Sequence, residues 1–386
     1  MKIKNQKNEC GVLLKITIIG PVKPFRGGIA HSTNTLCNNL SRNNEVRAIS
    51  FSRLYPKFLY PGKEQRENGE PEKGMDAKFI IDSINPFSWI GAFSEIKKQA
   101  PERVLFIWWH PFFFPCYFTI ALMLRVFSKA RVGCLCHNVV PHERSTVDKI
   151  LAKMFFMQMH YIVTYAESNL QIIKEMLPKK DAKFVSESLY ESQFSEVKIG
   201  KREAREKIGV EKDCVLFFGM VRKYKGLDYL LEAMPEILKK KDLTLVIAGE
   251  FWGDKDEYIE KIERLGISEK VEIIGKYIDS GEVPVYFKAA DAVILPYVSS
   301  TSSAVLQLAF VLNTPVITTA VGGNVDFIKD GINGLLVPPE NSEKLAEAVI
   351  RFYNEGLEKK FRERMLKDKK LFEWDDGKEK IFLDKA

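Results

Sequence analysis

Histidine and patterned cysteine are what this chain has least of. Five histidines are spread over 386 residues, and the six cysteines (Cys10, Cys37, Cys116, Cys134, Cys136 and Cys214) include no C-x-x-C pair. Thiols scattered in this way argue against a disulfide framework or a cysteine-held zinc; Cys134 and Cys136, two apart on one apolar strand, read as reduced core thiols of a cytosolic protein. No G-x-G-x-x-G follows a strand, which leaves a dinucleotide site without its fingerprint. No stretch interleaves basic residues with aromatics and glycines in the manner of an RNA-binding surface, so nucleic acid is set aside. The opening MKIKNQKNEC runs into an apolar strand without a signal-peptide pattern, which predicts a cytoplasmic chain. The nearest approach to a membrane span, Leu105–Leu124, has no Lys, Arg or carboxylate, but His110, Pro111 and Pro115 interrupt it. A strand ending near His110 and a helix starting near Pro115 fit it better, and a helix touching a membrane surface, flanked by Arg125, Lys129 and Arg131, is a better expectation than a span.

What remains is ordinary for a globular chain: 46% apolar and 28% charged residues, and a length suited to about two to three domains. The net charge of +7 suits an anionic substrate or membrane surface, and equally a solvated basic face. Apolar runs alternate with helical patterns. In the first half the strands are Leu13–Ile19, Val46–Phe51, Lys78–Ile81, Val104–Trp108, Arg131–Cys136 and Tyr161–Thr164. The helices lie around Trp89–Lys98, Phe118–Phe127, Val147–Met157 and Glu167–Met176. The polar stretch Ser186–Lys201 reads as a linker. A second series follows, with strands at Cys214–Phe218, Leu243–Ala248, Val271–Ile274, Asp291–Pro296, Pro315–Thr319 and Gly334–Val337. Strand–helix alternation of this kind predicts α/β domains with parallel sheets covered on both faces, and ligands outside the carboxyl ends of the strands.

That rule selects a few stretches. After the first strand, Gly27 and Gly28 open a helix and permit close approach of a ligand to backbone, or simply make a tight turn. His137 ends the strand Arg131–Cys136 and is a candidate for proton transfer or for hydrogen bonding to a sugar hydroxyl or phosphate. His142, five residues on, is a weaker candidate; His31, His110 and His160 read as structural. Gly219 ends the strand Cys214–Phe218, and the following MVRKYKG delivers Arg222, Lys223 and Lys225 to a strand-to-helix turn suited to a diphosphate. The run Ser299–Ser303 precedes an apolar helix, Ala304–Leu312. Ser303 is its expected N-cap, leaving N–H groups at Ala304, Val305 and Leu306 for a phosphate; the same serine would equally cap an ordinary core helix. Asp254-Lys255-Asp256 spells D-x-D, but acidic residues in a helix's first turn explain it, and no metal site is expected.

In order and at these separations, FFGMVRKYKGLDYLLEAMP, the strand ending at Gly249, DAVILPY, TPVITTAVGG and DGINGLLVPPEN resemble the retaining, GT-B-fold glycosyltransferases known as group 1 or family 4, most strongly over Val215–Tyr353. The Gly27-Gly28 loop and HNVVPHE extend the likeness more loosely into the first half. The resemblance implies two Rossmann-like domains facing across a cleft, an acceptor-side domain over 1–190 and a nucleotide-sugar domain over 191–368. A final helix over 369–386, near Trp374, would cross back to the first. No metal and no cofactor beyond the sugar nucleotide is implied. Lys225 falls on the family's lysine before glycine, and His137 on the histidine near the reacting sugar. The donor is expected at Gly27, Gly28, Gly219, Gly249, Ser302, Ser303, Ala304, Val305 and Gln307. The sequence departs from the pattern in three places. Met220 stands where the family has arginine, with Arg222 two residues on as its substitute. The positions of the family's glutamate pair fall on Ser300 and Leu308, with Gln307 placed to reach the ribose instead. Gly322 and Gly323 match paired glycines, followed by Asp326 where glutamate is usual.

The expected activity is therefore transfer of a sugar from a nucleoside-diphosphate donor to a glycan or lipid-linked acceptor with retention of configuration, Lys225 and Arg222 stabilising the departing diphosphate. A peripheral contact at the inner face of a membrane is a further expectation. The competing readings are a non-catalytic sugar-nucleotide or partner-binding member of the fold, and a sugar-nucleotide epimerase.

Overall fold

The alternation of apolar runs with amphipathic segments folds into two separate parallel sheets. The computed structural model describes residues 13–60, 62, 64–67, 75–139, 146–188, 199–300 and 303–384. Residues Met1–Ser188 together with Trp374–Ala386 make one compact unit, and Leu189–Glu373 the other.

The first unit runs β1 (Lys15–Ile19), α1 (Gly28–Leu40), β2 (Glu45–Arg53), β3 (Asp76–Asp82), α2 (Pro86–Gln99), β4 (Arg103–Trp108), α3 (Phe114–Phe127), β5 (Arg131–Cys136), α4 (Thr146–Gln158), β6 (Tyr161–Thr164), α5 (Glu167–Met176) and β7 (Asp181–Phe184). The sheet order is β3-β2-β1-β4-β5-β6-β7, every pairing parallel. Helices α2 to α5 pack on one face around Phe106, Trp108 and Phe155, and α1 packs on the other with Leu36, Cys37 and Leu40. The apolar stretch after β4 divides where its prolines predict. The His110 side chain accepts from the Phe112 N–H, a short 3-10 turn spans Pro111–Phe113, and α3 begins with a proline in its first turn. Among the described residues no helix is long and apolar enough to cross a membrane. Cys37, Cys116, Cys134, Cys136 and Cys214 are buried, with no disulfide among the described residues; Cys10 lies outside them.

The second unit runs α6 (Lys201–Ile208), β8 (Cys214–Phe218), α7 (Leu227–Lys240), β9 (Thr244–Ala248), α8 (Lys255–Arg264), β10 (Val271–Ile274), α9 (Val283–Ala289), β11 (Ala292–Leu295), α10 (Ala304–Val311), β12 (Val316–Thr319), α11 (Asn324–Phe327), β13 (Leu335–Val337), α12 (Ser342–Asn354) and α13 (Leu357–Asp368). Its order is β10-β9-β8-β11-β12-β13, again all parallel. Of the linker expected over Ser186–Lys201, residues 189–198 lie outside the described residues, and Lys201 already begins α6. Its helix is anchored by Arg205, which reaches the Ala289 carbonyl (3.1 Å) and the buried Asp291 carboxylate (2.9 Å). Asp254 caps α8 by accepting from the Asp256 N–H, the structural role expected of the D-x-D.

The chain then returns to the first unit through Trp374 and α14 (Asp376–Phe382). Glu379 accepts from Asn43 and Asn44 Nδ2, both at 2.9 Å, and the Phe382 carbonyl accepts from Tyr161 Oη at 2.7 Å. Gly133 makes the last bond possible: a Cβ there would lie 2.2 Å from Tyr161 Cζ. The final helix is thus held by buried hydrogen bonds to β6 and to the α1–β2 turn.

Candidate functional site

In each sheet the strand order reverses once, between β1 and β4 and between β8 and β11. Loops leaving such a pair diverge and open a crevice at the carboxyl ends of the strands. In the second unit those are the MVRKYKG loop after β8 and the serine-rich loop after β11, the two stretches singled out by sequence.

Backbone approach holds them together. Gly226 has φ +68°, and a Cβ on it would sit 1.9 Å from the Pro296 carbonyl oxygen, so only glycine fits. The Val298 N–H donates to the Tyr224 carbonyl at 2.8 Å. Gly249, at the end of β9, has the same reason to be glycine, because a Cβ would lie 2.1 Å from the Gly219 carbonyl oxygen. The β8 and β9 ends stay paired beyond their strands, with the Val221 N–H donating to the Glu250 carbonyl and the Trp252 N–H to that of Val221.

Lys225 is the chemically distinctive group. Its side chain is turned inward, only 8% exposed, with Nζ 5.7 Å from the centre of the Tyr297 ring. No carboxylate pairs with it among the described residues. Burial, and secondarily the charge of Arg222, lower its pKa from 10.5 to about 8. A buried ammonium without a carboxylate is costly unless an anion completes it. A Cβ on Gly219 would lie 3.0 Å from Lys225 Nζ and 3.4 Å from Val305 Cγ2, so the lysine and the first turn of α10 border the same space. Arg222 is exposed, its guanidinium 5.3 Å from the Tyr224 ring and 5.4 Å from that of Trp252. Lys223, the third cation expected here, instead turns to Glu257 (2.7 Å) and Asp228 (3.8 Å). The set of cations expected at a diphosphate therefore shrinks to two side chains.

Ser303 caps α10 as expected, its Oγ accepting from the Leu306 N–H at 3.2 Å, and it hydrogen-bonds the Tyr297 hydroxyl. That cap occupies Leu306, one of the three amides expected to be open. The first-turn amides of Ala304 and Val305 remain without intrahelical acceptors. Gln307 is buried and donates its backbone N–H to the Ser303 carbonyl. Leu308 is half-buried in the core on the β8–β11 side, and Ser300 is half-buried in the preceding loop. Ser302 and His142 lie outside the described residues. The sequence reading missed Tyr297, Tyr224 and Trp252, the aromatic walls of the two cations. The signal available was an aromatic just beyond each strand's carboxyl end.

In the first unit Gly27 (φ +100°) precedes α1 and Gly28 begins it, with no side chain capping the helix. His137 follows β5. It is 4% exposed, its N–H donates to the Trp108 carbonyl at 2.8 Å, and its own carbonyl accepts from Asn169 Nδ2 at 2.8 Å. The ring stands edge-on to Tyr165 at 5.4 Å, and Nε2 is buried without a hydrogen-bond partner among the described residues. Burial lowers its pKa to about 4. Of the two roles expected for it, the charged, proton-transferring one is disfavoured at neutral pH, and a neutral hydrogen-bonding one fits. Gly322 and Gly323 lead into α11, where the side chain of Asn324 donates to Thr318 Oγ1 at 2.9 Å; Asp326 is exposed.

Two parallel α/β sheets in one chain define the GT-B fold. Sucrose-phosphate synthase from Thermosynechococcus elongatus superposes with a TM-score of 0.73 at 18% identity, over 96% of this chain and 97% of that one. Anabaena HepE in complex with UDP-glucose superposes with a TM-score of 0.71 at 14% identity, over 93% and 96%. Residues 200–371 match the family described as glycosyl transferases group 1. An uncharacterized glycosyltransferase of Methanocaldococcus jannaschii is 37% identical over 150 residues, 38% of each chain. The chain spans between 38% and 42% of the length of the first curated relatives it matches. The family match covers the second unit, and the two-sheet likeness extends over both.

Proposed function

We propose that this protein transfers a sugar from a nucleoside-diphosphate-sugar to a glycan or lipid-linked acceptor with retention of anomeric configuration. The observation that carries the reading is Lys225: a buried ammonium, unpaired with any carboxylate among the described residues, bordering the same glycine as the α10 N-terminus at the reversal point of its sheet.

When the bond between anomeric carbon and phosphate oxygen breaks, negative charge develops on the departing diphosphate. Lys225, Arg222 and the amides of Ala304 and Val305 neutralise it, positioned beforehand and therefore without reorganisation. The freed phosphate oxygen takes the acceptor hydroxyl's proton, so no flanking carboxylate pair of the glycosidase kind is required. No metal or further cofactor enters this reading, since the chain's own cations and amides supply the positive charge. We assign His137 a neutral hydrogen-bonding role toward the transferred sugar, and Gln307 the ribose contact that glutamate makes in the family.

The test is a donor screen read by product mass, with a mixed glycan and lipid-linked acceptor pool. A mass increase of one sugar on an acceptor supports transfer. Donor conversion without any acceptor added points to an epimerase, and binding without turnover to a non-catalytic member of the fold.

A further inference from the structure

The first unit carries an apolar outer surface that the transfer reaction does not use. Among the described residues seventeen large apolar side chains are exposed; thirteen belong to the first unit and four to the second. Nine of the thirteen lie on α2, α3 and α4, three neighbouring helices on one face of the sheet. Their inner sides fill the core, so the exposed residues point away from it. Along α3 the half-buried Phe114 and Phe118 are followed at four-residue spacing by the exposed Leu122 and Val126, and the exposed Val147, Ile150, Met154 and Met157 form a second stripe on α4. Phe87, 83% exposed, and Ile90 continue the surface onto α2. The Phe93 and Phe127 rings, 6.2 Å apart, join α2 to α3.

The charges around this surface have one prevailing sign. Lys97, Lys98, Arg125, Lys149 and Lys153 are exposed on the three helices, and α3 has no carboxylate at all. Of the two acids present, Glu95 is taken by Lys78 at 2.6 Å; Asp148 is the other. Lysine is depleted from protein–protein interfaces, whereas Phe, Leu, Ile and Met bordered by lysine characterise surfaces that seat in the headgroup region of an anionic bilayer. Each such cation adds electrostatic attraction that decays within a Debye length.

We infer that the α2–α3–α4 face docks on the surface of a bilayer containing anionic phospholipid, without spanning it. The inference does not depend on the donor chemistry proposed above, and either can fail alone.

The test is sedimentation of the full chain with vesicles of phosphatidylcholine alone and of phosphatidylcholine mixed with phosphatidylglycerol. The protein is expected to pellet with the mixed vesicles, to be released by salt, and to bind pure phosphatidylcholine far less. Phe87→Ser with Ile150→Ser, and separately Lys149→Glu with Lys153→Glu, should each lower the partition coefficient at least about tenfold. All four positions are exposed, so thermal midpoints should stay unchanged. Absence of pelleting, or variants that pellet like the parent, would overturn the inference. A sedimentation coefficient that falls in the serine variant without vesicles would do the same, by giving the face to a second copy of the chain.

Discussion

Lys225 and Val305 meet over one glycine. Eighty residues separate them in sequence, yet a single added methyl group on Gly219 would touch the ammonium of one at 3.0 Å and the isopropyl group of the other at 3.4 Å. A cation from one loop and a helix start from another therefore face a space only a glycine leaves open.

Gly219→Ala tests that space. The residue has φ +94°, so an alanine is strained there, at a cost of about 1–2 kcal/mol, besides crowding the lysine. The expected result is a modestly lowered melting temperature with a disproportionate loss of nucleotide affinity. Equal losses in a distant control glycine such as Gly209, which has φ +71° and open space around it, would show that strain alone is responsible.

Titration of Lys225 sets a pH dependence. With its pKa lowered to about 8, the free protein holds the ammonium charged at neutral pH and loses it above 8. Binding of a diphosphate requires the charged form, so nucleotide affinity should fall as pH rises from 8 to 10, and Lys225→Met should flatten the curve. Stability runs the other way. The unfolded chain keeps the ordinary value near 10.5, binds more protons between 8 and 10.5, and is therefore progressively disfavoured as pH rises through that window. Calorimetric binding curves across this range check the first effect, and denaturant midpoints of parent and variant the second.

His137 should be silent in the physiological range. Burial holds its pKa at about 4, so its ring resonances should not titrate between pH 5 and 8, where an ordinary histidine changes charge. His137→Ala should reduce turnover while leaving the acid limb of the pH–rate profile unmoved. A ring titration near 6.5 would contradict the neutral role.

The anchoring of α14 has a price in stability that can be measured. Glu379→Ala would remove the carboxylate acceptor of Asn43 and Asn44 Nδ2, leaving Asn44 only its bond to the Leu40 carbonyl, at an expected cost of about 1.5–3 kcal/mol. Glu379→Gln, which keeps one acceptor oxygen, should lose less. Chemical denaturation of the three proteins measures both.

Much of the frame was legible because it rests on burial. CVLFF, DAVILP and the apolar half of LDYLLEAMPEIL could hardly be anything but buried strands and a half-buried helix, and Ser303 announces the cap it makes. Elements with little apolar content escaped. β7 (DAKF) is an edge strand with one buried residue, and α6 (KREAREKI) buries only Ala204 along its length. Side-chain direction was less legible than position. Arg222, Lys223 and Lys225 are near neighbours of one charge, but Glu257, thirty-four residues away, draws Lys223 outward while Tyr297 takes Lys225 inward. His137 was correctly placed at a strand end, but its burial depends on Tyr165 and Asn169, which no local pattern reveals.

The most direct measurement is calorimetric titration of the parent and Lys225→Ala chains with UDP, ADP, GDP and TDP, and with the matching nucleosides. At least one diphosphate should bind the parent, with affinity at least about tenfold weaker in the variant, while the nucleoside binds both alike. A diphosphate that binds parent and variant equally would contradict the assignment of Lys225 to the leaving group.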